Sequence, residues 1–154
     1  MEQLKKGTKA PLFSAVNQAG KIVNLQDFIG NMLILYFYPK DDTPGCTAEA
    51  CNLRDNYNHW IEKGYKIIGI SPDNEKSHKK FKEKYNLPFD LLSDPDHQIL
   101  ETYGAWGIKQ MYGKSYEGVL RTTYIIDKEG YIEQVFTKVD TKNHTEQIIQ
   151  ELKL

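Results

Sequence analysis

The apolar residues of this chain arrive in short dense runs, separated by polar stretches that glycine and proline punctuate. "MLILYFYP", Met32 to Pro39, carries apolar and aromatic residues without alternation. That pattern predicts a strand buried on both faces, with parallel neighbours. "YKIIGIS", Tyr65 to Ser71, repeats it. Between them, from Thr43 to about Glu62, Ala48, Cys51, Leu53 and Tyr57 are loosely periodic, which predicts a helix. A second helix is predicted from about Glu75 to Tyr85, then a short strand in "FDLLSD" and a short helix in "HQILETYG". Upstream, "FSAVNQAGKIVNL" predicts a small hairpin turning at Gln18 to Lys21. Downstream, "VLRTTYIID" and "YIEQVF" predict another around Lys128 to Gly130. Asn143 followed by Glu146 has the form of a capping box that opens a C-terminal helix.

Strand, helix, strand, helix, strand, hairpin and final helix describe an α/β layered domain with a central mixed β-sheet flanked by helices and an N-terminal β-hairpin. The length of 154 residues, with 40% apolar and 12% aromatic residues, suits a single domain over 1–154 with one well-buried core. Ligand chemistry in such sheets gathers at the C-terminal ends of strands, where helices begin. "GIKQMYGKS" from Gly107 does not make a phosphate loop: five residues separate its glycines where that motif needs four, and no strongly apolar strand precedes it. A loop near the active site is expected there.

Charge narrows the partners. Twenty Lys and Arg against 21 Asp and Glu give a net charge of −1, which argues against nucleic acid or an anionic membrane as a general partner. The lysines from Lys79 to Lys84 alternate with Phe81 and Glu83 at helical spacing, as a solvated helix face does. The N-terminal residues lack the apolar core of a signal peptide, and the longest apolar run is too short to cross a bilayer. A cytoplasmic protein is expected. Thiols stay reduced in that compartment, so its two cysteines read as catalytic, redox-sensing or metal-binding before they read as a structural staple.

Both cysteines fall in "YFYPKDDTPGCTAEAC", five positions apart, where thioredoxin-type and zinc motifs usually place two residues between them. With Thr43 as N-cap and Pro44 in the first turn, Cys46 lies at the third helical position. Free backbone N–H groups and the positive end of the helix dipole favour a thiolate there. Gly45 leaves space beside the sulfur for a substrate. In an ideal helix Cys46 and Cys51 are rotated by about 140° and their Cα atoms lie about 8.7 Å apart, beyond the roughly 7 Å reach of a disulfide. Joining them requires the first turns to unwind. That suits a pair in which Cys46 attacks a peroxide, becomes a sulfenic acid and is captured by Cys51.

These residues resemble the peroxiredoxins, specifically the Q-type subfamily also called bacterioferritin comigratory proteins. The similarity runs through "APLFSAVNQAGKIVNLQDFIG", "YFYPKDDTPGCTAEACNLRD", "GISPD", "LLSDPDHQILETYGAWGIK", "GKSYEGVLRTTYIIDKEGYI" and "NHTEQII". "PKDDTPGC" fits the family pattern of proline, three residues, Thr or Ser, two residues, Cys. The resemblance implies a thioredoxin-like fold and a peroxidase of hydrogen peroxide and organic hydroperoxides. Cys46 matches the peroxidatic cysteine, Thr43 the hydroxyl that binds substrate and thiolate, and Pro39 the proline that shields the pocket. Arg121 matches the active-site arginine, and Glu49 falls where many members carry a residue that steadies it. Cys51 matches the resolving cysteine of members whose disulfide is intramolecular. The family further implies thioredoxin or a similar dithiol as reductant and a monomer; no metal or other cofactor is expected.

Three other readings compete. Histidines 59, 78, 97 and 144 are scattered without ligand-like spacing to the cysteines, which argues against a metal site. A thiol-disulfide oxidoreductase would show Cys-x-x-Cys, which the chain lacks. A non-enzymatic redox sensor or holdase could use the same cysteine pair, yet no length is spare for an effector surface.

Overall fold

The computed structural model describes residues 3–154. Strands β1 (Ser14–Val16) and β2 (Ile22–Asn24) form the N-terminal hairpin, followed by a 3-10 turn at Leu25–Phe28. Strand β3 (Met32–Phe37) leads to helices α1 (Pro44–Asp55) and α2 (Tyr57–Glu62). Then come β4 (Tyr65–Ser71), α3 (Glu75–Tyr85), β5 (Asp90–Ser93) and α4 (Gln98–Thr102). Strands β6 (Trp106–Met111), β7 (Lys114–Val119), β8 (Thr122–Ile126) and β9 (Ile132–Phe136) precede the last helix, α5 (His144–Leu152).

The central sheet runs β5-β4-β3-β8-β9, parallel from β3 to β5 and antiparallel on the β8 and β9 side. The sheet is therefore mixed, and β3 has one parallel and one antiparallel neighbour where parallel company was expected. Its lack of alternation follows from two apolar faces. Leu33, Leu35 and Phe37 point into a core with Ile68, Ile70, Ile99, Leu100 and Tyr124. Ile34, Tyr36 and Tyr38 point the other way, toward Cys46, Ala50, Leu53, Trp60, Phe81 and Ile148 from α1, α2, α3 and α5. Gly69, the register partner of Tyr36 on β4, has to be glycine, because a Cβ there would stand 2.8 Å from the Tyr36 ring.

Three local expectations are corrected. The helix from Thr43 to Glu62 is broken at Asn56, whose side-chain amide donates to the Asn52 carbonyl at 2.8 Å and so diverts a helical acceptor. The stretch from Gly107 expected as a loop is the β6–β7 hairpin, turning at Tyr112 and Gly113, both at positive φ. Its outward residues Ile108, Met111 and Tyr112 are exposed, so no buried face revealed it as strand. The capping box at Asn143 and Glu146 does not form. Asn52 of α1 replaces it, with Oδ1 accepting from the Thr145 N–H at 2.7 Å. No helix among the described residues is long and apolar enough to cross a membrane.

Candidate active site

The site grows from the C-terminal end of β3. The chain leaves the sheet through half-buried Pro39, and two consecutive acids then pin the loop to α3. Asp41 accepts from the Tyr38 hydroxyl at 2.6 Å and the Ser77 hydroxyl at 2.8 Å, and faces His78 Nδ1 at 2.7 Å. Its backbone N–H donates to Asp73 at 2.8 Å. Asp42 takes a left-handed conformation, φ 58°, which aspartate tolerates better than most residues. Its carboxylate accepts from Lys84 Nζ at 2.7 Å and the Tyr85 hydroxyl at 2.8 Å. Lys84, read as part of a solvated face, is a loop anchor.

Asp41, Asp73 and His78 bring ligand-type atoms within 4.8 Å of one another, an arrangement that sequence spacing did not reveal. Those groups are already engaged. Ser71 donates to Asp73 at 2.8 Å, and His78 Nε2 meets the Leu92 carbonyl at 3.0 Å. The cluster acts as a hydrogen-bond network that holds the loop.

Thr43 is the N-cap residue of α1 and Pro44 follows in the first turn, as expected. The threonine side chain does not cap the helix, however. Its hydroxyl donates back to the Lys40 carbonyl at 2.8 Å, which orients the hydroxyl and leaves its oxygen lone pairs to accept another hydrogen. Cys46 is only 1% exposed, so an anionic sulfur there depends on donors that the protein supplies. One is Arg121, whose Nη2 donates to Sγ at 3.3 Å. Strand pairing brings it there: Phe37 opposes Thr122, so the residue before Thr122 arrives beside the end of β3. Gly45 permits the approach, since a Cβ would meet Arg121 Nη2 at 3.2 Å. The space beside Gly45, expected for substrate, is taken by the arginine.

Glu49 completes the cluster from the next turn of α1. Its Oε1 accepts from Arg121 Nη1 at 2.8 Å, and the side chain is fully buried. Burial raises its pKa to about 7, although the guanidinium works in the opposite direction. Burial alone would lower Arg121, but Glu49 and Cys46 outweigh it and hold the guanidinium above its ordinary value. Cys51 is half-buried, and burial pushes its thiol up despite nearby Arg54. It is thereby favoured as a neutral thiol. Both cysteines are free, and α1 runs unbroken through them.

Cys46, Arg121 and Glu49 thus meet in one cluster, with Thr43 at the helix start and Cys51 one and a half turns along. Asp41, Asp42 and His78, which hold the loop, were missed as functional candidates. Only the adjacency of two acids before Thr43 could have hinted at the first pair. A groove of about 820 Å³ lies between the Gln18–Ala19 turn and α3 and shares no residue with this site.

The AhpC/TSA family profile matches residues 6–135. The chain is 46% identical to Peroxiredoxin Bcp of Escherichia coli over 153 residues, 99% of this chain and 98% of that protein. It is also 46% identical to Peroxiredoxin Bcp of Bacillus subtilis over 147 residues, 96% of this chain and 94% of that protein. Among solved structures, the Bacterioferritin Comigratory Protein of Xanthomonas campestris, studied for its alkyl peroxide reduction activity, superposes with a TM-score of 0.85 at 33% identity. That match covers 92% of this chain and 90% of the other. The fold and a buried cysteine under a guanidinium are those of a thioredoxin-like thiol peroxidase. The chain belongs to the AhpC/TSA family, among the Q-type or Bcp peroxiredoxins.

Proposed function

We propose that Cys46 is the peroxidatic cysteine of a thioredoxin-dependent reducer of hydrogen peroxide and organic hydroperoxides. The observation that carries this reading is the 3.3 Å contact between Arg121 Nη2 and Cys46 Sγ. A guanidinium fixed by Glu49 at 2.8 Å favours a thiolate before the reaction and can stabilise charge on the peroxide oxygens during it. The thiolate attacks one peroxide oxygen. An S–O bond forms, the O–O bond breaks, and the leaving alkoxide or hydroxide takes a proton to give alcohol or water. Thr43 accepts the hydrogen of the bound hydroperoxide, and Pro39 limits water at the sulfur.

Cys46 is now a sulfenic acid. Cys51 attacks it once the start of α1 unwinds, forming an intramolecular disulfide and releasing water. A dithiol reductant, thioredoxin by this reading, exchanges with that disulfide and restores both thiols. Because both cysteines lie on one helix, the cycle closes within a monomer, and we place it in the cytoplasm, where dithiol reductants are maintained. The alkyl peroxide activity studied in the Xanthomonas protein supports extending the substrates to organic hydroperoxides.

The test is NADPH oxidation by thioredoxin reductase and thioredoxin in the presence of this protein and peroxide. Peroxide-dependent oxidation that Cys46→Ser abolishes is expected. No peroxide-dependent oxidation by the wild-type chain would overturn the thioredoxin-dependent reading.

A further inference from the structure

Behind Arg121 lies a buried polar cluster that the peroxidase chemistry above does not use. Glu49 Oε1 serves the arginine, but Oε2 is buried with no hydrogen-bond partner among the described residues. His144, also fully buried, has its Nε2 3.6 Å from Oε2. That distance is too long for a formed hydrogen bond, yet a shift of about half an ångström would make one. An orphaned carboxylate oxygen beside an imidazole, deep in a core, calls for an explanation.

The protonation of the ring can be read from its neighbours. Gln147 Nε2 donates to the Lys138 carbonyl at 2.8 Å, and Gln147 Oε1 accepts from the Asp140 N–H at 3.0 Å. The amide orientation is therefore fixed, and Oε1 facing His144 Nδ1 at 2.9 Å must accept from that nitrogen. With the proton on Nδ1, Nε2 of the neutral ring accepts from the Thr123 hydroxyl at 2.9 Å and turns the same unprotonated, electron-rich edge toward Glu49 Oε2. The contact between His144 and Glu49 is then no ion pair. An electron-rich nitrogen with no proton to donate repels an ionised carboxylate and leaves a protonated one undisturbed.

We propose that His144 is a positioning residue of the peroxidase site: its unprotonated Nε2, facing the inner oxygen of Glu49 with no proton to offer it, keeps that carboxyl protonated, so that Arg121 serves the Cys46 sulfur without a competing buried anion. This rests on the reading of Cys46 as the reacting thiol. Burial moves both groups in the required direction, His144 down to about 4 and Glu49 up to about 7. The charged and titratable groups around the pair are Arg121 ahead of β8, Cys46 on α1, Tyr36 on β3 and Asp140 before α5. One cation faces two potential anions, Cys46 and Glu49. Two like charges so close to one guanidinium disfavour each other. A protonated Glu49 still accepts from Arg121 through Oε1, so the guanidinium stays in place while its charge is left to the sulfur.

The test needs neither peroxide nor reductant, so its failure is distinct from failure of the peroxidase reading. Infrared difference spectra of the Cys51→Ser protein between pH 5 and 9 should show the carbonyl stretch of a buried protonated carboxyl, absent in Cys51→Ser with Glu49→Gln. Blocking Cys46 with iodoacetamide removes the thiolate charge, and the band should then titrate away about one pH unit lower. The ring ¹⁵N shifts of His144 in the wild-type chain should report a neutral Nδ1–H tautomer at pH 6 to 8. A doubly protonated ring, the Nε2–H tautomer, no carboxyl band, or a band indifferent to Cys46 alkylation would each overturn the proposal.

Discussion

Arg121 Nη2 stands 3.3 Å from Cys46 Sγ although 75 residues separate the two in sequence. Antiparallel pairing of β8 with β3 brings them together, and Gly45 makes room for the contact. Arg121→Lys keeps a positive charge but loses the planar fork that reaches sulfur and Glu49 at once. The second-order rate constant with hydrogen peroxide, measured by stopped flow, should fall about 100-fold or more. The variant should retain its far-ultraviolet circular dichroism, since Arg121 precedes β8 and belongs to neither apolar core.

Thr43 presents a hydroxyl whose direction is set by its bond to the Lys40 carbonyl. Thr43→Ser keeps that hydroxyl and should stay within about fivefold of the wild-type rate. Thr43→Val keeps the shape and loses the oxygen, and should cost at least about tenfold in kcat/KM for hydroperoxide. Equal rates for the two variants would remove Thr43 from substrate binding.

Asn52, next to Cys51, ties α1 to α5: Oδ1 accepts from the Thr145 N–H at 2.7 Å and Nδ2 donates to the Lys142 carbonyl at 3.0 Å. Helix α1 cannot unwind far without breaking these bonds. Asn52→Ala should lower stability by about 1–2 kcal/mol and speed disulfide formation after a pulse of peroxide, read by quenched-flow thiol trapping. Lower stability with an unchanged rate would mean that the clamp does not oppose unwinding.

How much of this was legible follows from where each contact is made. The start of α1 at Thr43 and Pro44, the place of Cys46 in its first turn, and the doubly buried β3 and β4 depend on neighbours in sequence, and pattern reading found them. The family resemblance picked out Arg121 and Glu49, which periodicity alone would have left as a strand arginine and a helix-face glutamate. Asp41, Asp42, His78 and His144 meet tertiary partners 21 to 95 residues away, so nothing local marks them. The β6–β7 hairpin was missed because its residues are mostly exposed and carry no apolar alternation.

Glu49 also ties stability to pH. Its pKa rises from 4.5 to about 7 on folding, so the stability it lends is whole below about pH 4.5 and is lost as pH climbs through 7. His144 runs the other way: lowered from 6.5 to about 4, its contribution is whole above pH 6.5 and is lost as pH falls through 4. In urea melts, Glu49→Gln should therefore gain on the wild type between pH 5 and 8, by at most about 3 kcal/mol. A difference that does not change with pH would contradict the raised value.

The most direct test of the account is mass spectrometry of the reduced protein before and after one equivalent of hydrogen peroxide. A loss of two hydrogens, mapped to a Cys46–Cys51 disulfide within one chain, is the predicted result. An unchanged mass, or a disulfide between two chains, would contradict it.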